Sequence, residues 1–368
     1  MSEVLADADG APTDALIRLY DRWGRSGAGL LITGHVIVDR NGRGEHGNVV
    51  VDDARHLAAL TRWAAAGQAH GAAMWAQLNH AGRQAPRRIT REPVAPSAIA
   101  MKGFAGLFAR PRALADAEIE AIVARFATTA SMVQRAGFAG VQIHAAHGYL
   151  ISQFLSPRTN QRTDRWGGDV TGRSRFLLAI VAAIRDAVGP RFPIGVKLNS
   201  ADFQRGGFAI DDAMEVARLL ERAGIDLLEV SGGSYESPAM TGRRSTLARE
   251  AYFLDYAKQI RAVVRTPILL TGGMRSRAVM ERALDGAADV IGLGRPMTFT
   301  PDLPAQLLAG SLERAPEVDL RTRVRPIDDA LQVLWFQSQM HEMARGREPD
   351  PQLSKLGALW RGLRSMAA

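Results

Sequence analysis

The stretch GFAGVQIHAAHGY, residues 137–149, decides the fold of this chain. Gly137 follows a helical pattern, as a helix C-cap does, and the apolar run at residues 140–144 is typical of a buried β-strand. Three polar side chains come at the end of the strand or just after it: His144, His147 and Tyr149. This short segment therefore contains the end of a helix, a buried strand and, at the end of that strand, side chains that can take part in catalysis.

The same order recurs along the chain. Six further apolar runs alternate with longer helical patterns, at residues 29–33, 72–78, 193–198, 226–231, 267–271 and 289–293. Such alternation indicates a parallel sheet covered by helices. A (β/α)8 barrel needs eight strands, and seven follow a first helix at about residues 14–26. We predict an α/β fold, a TIM barrel whose first strand is truncated; a doubly wound sheet ranks second because no Gly-x-Gly-x-x-Gly fingerprint follows a strand.

The chain divides at about residue 310. Residues 1–310 are predicted to form the barrel. Beyond them the pattern is helical and amphipathic at residues 328–345 and 352–364, where Trp335, Phe336 and Trp360 are expected on buried faces. We predict that residues 311–368 form a helical extension that packs on the barrel or on a partner subunit.

The amino-acid composition excludes several kinds of chemistry and of binding partner. The 368 residues include no Cys, which excludes disulfides, Cys-ligated zinc, iron–sulfur clusters and thiol nucleophiles, so redox chemistry needs a bound organic cofactor. The net charge of +8 comes from scattered cations, which favours a solvated basic surface or attraction of phosphate-bearing cofactors over nucleic-acid binding. The N-terminus lacks a signal-peptide pattern, and the longest clean apolar run, residues 176–184, is too short for a membrane span. We expect a cytoplasmic protein with no membrane or nucleic-acid partner.

Barrel active sites form at the carboxyl ends of the strands. The last two runs lead into glycine-rich loops that contain Gly272, Gly273 and Gly294, and Arg295 follows. Glycines let backbone N–H groups approach an anion, and the loops after the last two strands are the usual phosphate site of a barrel. We predict a phosphate site there; tight turns without a ligand are the plain alternative.

Other strand ends carry polar side chains. His144 and His147 can converge on one oxygen, with the Tyr149 phenol as a proton donor; two structural histidines or a metal pair are alternatives, and we predict no metal. Gln77 offers a donor and an acceptor that suit the edge of a pyrimidine-like ring. Lys197 either stabilises negative charge on a cofactor or pairs with Glu229 on the next strand.

Together these residues resemble the old yellow enzyme family of FMN-dependent ene-reductases over roughly residues 1–310. The resemblance is carried by QLNHAGR (77–83), GFAGVQIHAAHGYL (137–150), QFLSP (153–157), Asn160, Arg162, Asp164, WGG (166–168), TGG (271–273) and GRP (294–296). The central motif is long and specific.

The resemblance implies FMN at the barrel mouth. Its phosphate would lie on Gly272, Gly273, Gly294 and Arg295. Its pyrimidine edge would meet Gln77 and Lys197, where the family usually has Arg, and Ser2 aligns approximately with a flavin-contacting position. His144 and His147 would hold the carbonyl or nitro oxygen of an activated alkene, and Tyr149 would supply the proton.

The implied function is reduction of activated C=C bonds, in α,β-unsaturated carbonyl or nitro compounds, with NADH or NADPH as reductant. The alternative is a non-catalytic or partner-dependent remnant of the flavin barrel that lacks its first strand. A Schiff-base aldolase would have to use Lys197 as its nucleophile. Residues 87–111 and 234–249 are expected to line the substrate mouth. The natural substrate, the choice between NADH and NADPH and a homo-oligomeric state stay open.

Overall fold

The computed structural model describes residues 2–104, 106–238, 250–318, 320 and 325–367. Its strands are β1 (Leu30–Ile37), β2 (Val49–Val50), β3 (Ala73–Asn79), β4 (Val94–Ala95), β5 (Arg112–Ala113), β6 (Gly140–Ala145), β7 (Ile194–Asn199), β8 (Leu227–Ser231), β9 (Ile268–Leu270) and β10 (Val290–Ile291). Its α-helices are α1 (Asp14–Gly24), α2 (Leu57–Gln68), α3 (Asp116–Arg135), α4 (Leu150–Leu155), α5 (Val170–Val188), α6 (Ile210–Arg222), α7 (Leu254–Arg261), α8 (Arg277–Leu284), α9 (Leu303–Leu308), α10 (Arg325–Ala344) and α11 (Lys355–Ala367).

Eight of these strands form one sheet in the order β10-β9-β8-β7-β6-β3-β1-β2, and every pairing in it is parallel. The short strands β4 and β5 pair with each other outside this sheet. Each of the seven apolar runs forms a strand of the large sheet, which confirms the predicted α/β architecture. The active-site candidates therefore lie together at the carboxyl edge of the sheet.

The sheet is not closed, because in its described strands β1 and β10 do not pair. We call the gap between residues 30–34 and 289–294 the seam; it opens into a cavity of about 790 Å³. Glu3 fills part of the seam: its carboxylate accepts hydrogen bonds from the Gly34 N–H, at 2.8 Å, and from the Tyr20 hydroxyl. The truncated first strand expected from the sequence corresponds to this seam.

The amino-terminal end of the sheet is filled by Trp75 on β3. A Cβ atom added at Gly140 would lie 2.6 Å from the Trp75 ring, and one added at Gly195 would lie 2.8 Å from it. Glycine on the neighbouring strands β6 and β7 therefore makes room for the indole. Leu227 and Leu269 pack with Trp75 in the same apolar layer, so this end is a packed floor beneath the polar strand ends.

A local turn sets the start of α2. The helix begins at Leu57, because Asp53 accepts a hydrogen bond from the Arg55 N–H at 2.8 Å and holds the preceding residues in a turn. In the described part of the chain, no helix is long and apolar enough to cross a membrane.

The helical extension contacts the barrel through α10. The Arg18 guanidinium on α1 donates to the Ala344 carbonyl at 2.9 Å, and Trp335 is fully buried. The expectation for Trp360 was wrong, since this side chain is 58% exposed. Ala358 is buried, and two residues along a helix correspond to about 200°, so Trp360 lies on the side of α11 opposite Ala358.

Candidate active site

A cavity of about 490 Å³ opens at the carboxyl ends of the strands, within the range of about 300–1,000 Å³ that is usual for cofactor and small-molecule sites. Most of the predicted site residues border it: Ser2, His147, Tyr149, Lys197, Gly272, Gly273, Gly294 and Arg295. Gln77 borders the seam cavity instead, and Lys197 borders both cavities. His144 borders neither and lies against the rings that do.

The loop after β9 forms one wall of the cavity. Gly272 and Gly273 have φ values of +100° and +73°, which glycine adopts without strain. A Cβ atom added at Gly273 would lie 2.6 Å from the Tyr252 ring, so a side chain would have no room here. The carbonyls of Gly272 and Gly273 accept hydrogen bonds from the N–H groups of Tyr252 and Ala251 at 3.0 and 3.2 Å. The loop is thereby held in a conformation that requires glycine.

The loop after β10 forms the adjoining wall. A Cβ atom added at Gly294 would meet open space, so the backbone here is directly accessible from the cavity. Arg295 follows at the start of a 3-10 turn and donates to the Gln332 side chain of α10 at 3.3 Å. Arg275 also borders the cavity, but it is paired with Glu317 at 3.0 Å. Two glycine loops and an arginine together suit a phosphate group.

A buried polar chain crosses four neighbouring strands beneath these loops. The Gln77 amide donates to Gln142 at 2.7 Å, the Gln142 amide donates to Glu229 at 2.7 Å, and Lys197 pairs with Glu229 at 2.8 Å. Each of the four residues is on a different strand, β3, β6, β8 and β7. The pairing of Lys197 with Glu229 is thus present, and Lys197 nevertheless borders the cavity.

The aromatic cluster on the opposite side contains the predicted catalytic residues. The His144 ring centroid lies 5.1 Å from that of His147 and 4.9 Å from that of Tyr149. His147 has a φ of +60°, its backbone N–H donates to the Asn199 side chain at 3.1 Å, and its Nε2 lies 2.8 Å from the Ser231 hydroxyl. Neighbouring strand ends therefore fix an uncommon backbone conformation that brings the imidazole to the cavity.

Sequence reasoning missed His35. This buried residue borders the cavity, and its ring centroid lies 4.8 Å from that of Tyr149 and 5.4 Å from that of His144. The signal was present, because His35 comes two residues after the apolar run at residues 29–33. The apolar run ends at residue 33, whereas β1 continues to Ile37 with a register shift between Ile32 and His35.

Burial sets the protonation of this cluster. It lowers the pKa of His35, His144 and His147 well below the ordinary histidine value, so these imidazoles are neutral near pH 7. Burial also raises the pKa of Tyr149 well above its ordinary value, and the phenol keeps its proton. The cluster can therefore donate hydrogen bonds from neutral imidazoles and supply a proton from the phenol.

The same burial predicts a stability that falls with acidification. An unfolded histidine protonates near pH 6.5, whereas burial lowers the pKa of His80 to about 4 and also lowers those of His35, His144 and His147. The unfolded chain then binds more protons, so stability is present above about pH 6.5 and is lost below it. We expect the free energy of unfolding in urea to fall between about pH 7.5 and pH 5.5, by about 1 kcal/mol from His80. Equal or greater stability at the lower pH would contradict this assignment.

Flavin mononucleotide fits these residues. Its phosphate requires glycine-rich backbone and a cation, which Gly272, Gly273, Gly294 and Arg295 provide on one cavity. On the seam side, the Gln77 amide offers a donor and an acceptor and the Lys197 ammonium offers donors that would suit its pyrimidine edge, and Lys197 borders both cavities. The accessible backbone at Gly294 is the structural feature that best matches the group. The glycine loops, the polar chain and the cluster of imidazole and phenol rings thus define a flavin-binding oxidoreductase site.

Comparison with known proteins identifies the family to which the chain belongs. Residues 1–313 match the sequence model of the NADH:flavin oxidoreductase / NADH oxidase family, and the chain belongs to this family. The NADH-dependent flavin oxidoreductase iliE of Hypocrea jecorina (strain QM6a) is 38% identical over 84% of this chain and 83% of its own length.

Two solved structures are also similar. An old yellow enzyme homologue from Zymomonas mobilis has a TM-score of 0.74 at 27% identity, covering 86% of this chain and 89% of its own. Morphinone reductase in complex with tetrahydroNAD has a TM-score of 0.72 at 27% identity, covering 85% of this chain and 86% of its own. The protein is therefore an enzyme of old yellow enzyme type that uses FMN and takes electrons from NADH, and the resemblance found in the sequence is confirmed.

Proposed function

We propose that this enzyme reduces activated C=C bonds, those conjugated to a carbonyl or nitro group, with Tyr149 as the proton donor. One arrangement carries the proposal: the Tyr149 and His147 side chains border the same cavity as the glycine loops and Lys197. Bound FMN would supply hydride, first received from NADH. A cavity that combines a hydride source, neutral imidazoles and a protonated phenol suits addition of hydride and proton across a polarised double bond.

Different residues of the chain bind different parts of FMN. Gly272, Gly273, Gly294 and Arg295 hold the phosphate, and Gln77 and Lys197 hold the pyrimidine edge. Ser2, whose hydroxyl accepts a hydrogen bond from Asn48 at 3.0 Å, borders the same cavity. We assign these residues to cofactor binding.

The imidazoles act on the substrate oxygen. His147 faces the cavity, and His144 packs against it with its Nδ1 accepting a hydrogen bond from the Ala146 N–H at 3.2 Å, so its proton is on Nε2. Neutral imidazoles that donate hydrogen bonds stabilise negative charge developing on the substrate oxygen without protonating it. The proton for the α-carbon is left to Tyr149, whose pKa is raised by burial.

The loops above the cavity fit a substrate entrance. Phe108, in the predicted mouth segment at residues 87–111, has its ring centroid 6.4 Å from that of Tyr235. The second predicted mouth segment, residues 234–249, lies outside the described residues from 239 onward. The cytoplasmic location and homo-oligomer formation stay predictions from the sequence.

A matched pair of substrates tests the proposal. FMN-loaded protein is supplied with NADH and either 2-cyclohexen-1-one or cyclohexene, which carries the same ring without the activating carbonyl. We expect cyclohexanone from the enone and no product from cyclohexene, measured by gas chromatography. NADH consumption without a saturated product from the enone would refute the assignment to alkene reduction.

A further inference from the structure

A second phenol contacts the predicted proton donor. Tyr235 is in the loop after β8, and its hydroxyl lies 2.8 Å from the Tyr149 hydroxyl. The two rings meet edge to face, with centroids 5.9 Å apart and planes at 72°. The motif that identified Tyr149 contains no counterpart of Tyr235, which is 86 residues further along the chain.

The two phenols differ in their access to solvent. Tyr149 is 6% exposed, whereas Tyr235 is 40% exposed. Within the described ranges, the hydrogen-bond partner of the Tyr149 hydroxyl is the Tyr235 hydroxyl. The buried phenol is therefore connected to the surface of the cavity through the exposed one.

Tyr235 is held in place by its neighbour Glu236. One carboxylate oxygen of Glu236 pairs with Arg83, whose side chain is only 7% exposed, and the other accepts a hydrogen bond from the Lys102 N–H at 2.9 Å. Glu236 thus ties the loop after β8 to the end of β3 and to the mouth segment. A nearly buried ion pair with an added backbone hydrogen bond is a defined anchor, unlike an exposed pair on the surface.

We propose that Tyr235 is a positioning and proton-relay residue for Tyr149, a proposal that rests on the function proposed above. Tyr235 donates its hydroxyl proton in a hydrogen bond to the Tyr149 oxygen, so the Tyr149 proton is directed to the substrate. When the Tyr149 O–H bond breaks and a C–H bond forms at the α-carbon, the Tyr235 proton moves to the Tyr149 oxygen. A solvent water then protonates Tyr235 and leaves hydroxide in bulk solvent, so the proton added to the α-carbon comes from solvent and both phenols return to their starting state with no oxidant or reductant consumed in the relay.

The surroundings of the pair keep both phenols protonated near pH 7. Burial raises the pKa of Tyr149, and the neighbouring Tyr235 and the Glu45 carboxylate raise it further. Burial and Glu45 also raise the pKa of Tyr235 to about 12. The rings packed against Tyr149 from β1 and β6 are those of His35 and His144, both neutral. Among the described residues, the other ionisable side chains on the cavity wall are His147, Lys197, Tyr252, Arg275, Arg295 and Glu317. A phenolate at Tyr149 is therefore costly unless a nearby donor stabilises it, and Tyr235 is in contact.

A double-mutant cycle tests the relay. In Tyr235→Phe, we expect single-turnover oxidation of the NADH-reduced enzyme by 2-cyclohexen-1-one to slow about tenfold, because one hydrogen bond to a developing charge is lost. Reduction by NADH should be unchanged, as should both rates in the control Tyr256→Phe, which removes a hydroxyl outside the cavity lining. Adding Tyr235→Phe to Tyr149→Phe should cause no further slowing. An unchanged rate in Tyr235→Phe, or the same slowing with and without Tyr149, would overturn the proposal.

A second readout requires no alkene. The chain has five tyrosines, so FMN-loaded protein labelled with ¹³C at the tyrosine Cζ gives a spectrum that can be assigned by single substitutions. We expect Tyr235→Phe to shift the Tyr149 Cζ resonance at neutral pH, because the hydroxyl 2.8 Å away is removed, and Tyr256→Phe to leave it unchanged. No shift in Tyr235→Phe would contradict the hydrogen bond. If the wild-type enzyme did not reduce the enone while this shift was observed, the proposed function would fail and the phenol pair would stand.

Discussion

Replacing Tyr149 by phenylalanine is expected to slow oxidation of the NADH-reduced enzyme by 2-cyclohexen-1-one by about 10²- to 10⁴-fold, the usual contribution of a general acid. Phenylalanine keeps the ring that packs against His35 and His144 and removes only the proton donor. The neutral imidazoles nearby have their pKa lowered by burial and cannot replace it. Stopped-flow absorbance of the flavin under anaerobic conditions measures the rate.

Reduction by NADH provides the internal control for this variant. That half-reaction needs no proton from Tyr149, so its rate should match the wild type. A Tyr149→Phe enzyme that is oxidised by the enone at the wild-type rate would remove Tyr149 from the role of general acid. Equal slowing of both half-reactions would instead indicate a disturbed flavin site.

Replacing Arg295 by alanine is expected to raise the dissociation constant for FMN about 100-fold. Hydrogen bonds to a charged group contribute about 1.5–3 kcal/mol each, and the guanidinium can make two of them to a phosphate. Arg295 follows the accessible backbone of Gly294, and Gln332 on α10 holds one of its terminal nitrogens. Titration of the FMN-free protein by flavin fluorescence measures the affinity.

The matched control is Arg62→Ala, which removes an exposed arginine paired with Asp14 on the surface. This variant should bind FMN like the wild type, so a loss specific to Arg295→Ala cannot come from the change in net charge. Arg295→Lys should bind with intermediate affinity, since lysine keeps the charge without the two-pronged geometry. Wild-type affinity in Arg295→Ala would place the phosphate elsewhere.

The strands could be predicted from the sequence because a parallel sheet is buried on both faces. Runs such as residues 29–33 and 267–271 are nearly continuously apolar, and Gly or Pro marks their starts. The two glycine loops could be placed for the same reason, since each directly follows such a run. The local sequence was enough to predict a structural feature wherever all of its residues come from a single strand and the loop that follows it.

Features that depend on two distant segments could not be read in this way. Tyr235 matters because its hydroxyl meets that of Tyr149, and no local pattern records a contact between different loops. His35 was missed because β1 continues past its apolar run through a register shift. Trp360 was misplaced because an amphipathic pattern shows that a helix has an apolar face, but its neighbours decide which residues are covered.

The two roles that the sequence suggests for Lys197 do not exclude each other. The sequence allowed either a cofactor contact or an ion pair with Glu229. In the structure Lys197 forms the ion pair with Glu229, and its side chain also borders the cavity. A charge held by a buried carboxylate is fixed in position, and this suits a cofactor contact as well as a structural role. The contact of Lys197 with the flavin itself stays a prediction.

An anaerobic titration tests the central claim most directly, namely that electrons pass from NADH through this site to an activated alkene. FMN-loaded protein is first titrated with NADH and then with 2-cyclohexen-1-one, while the visible flavin absorption is recorded and the product is identified. We predict that one equivalent of NADH bleaches the flavin, and that one equivalent of enone restores the absorption and yields one equivalent of cyclohexanone. Flavin that is bleached by NADH but stays bleached with the enone would contradict the claim.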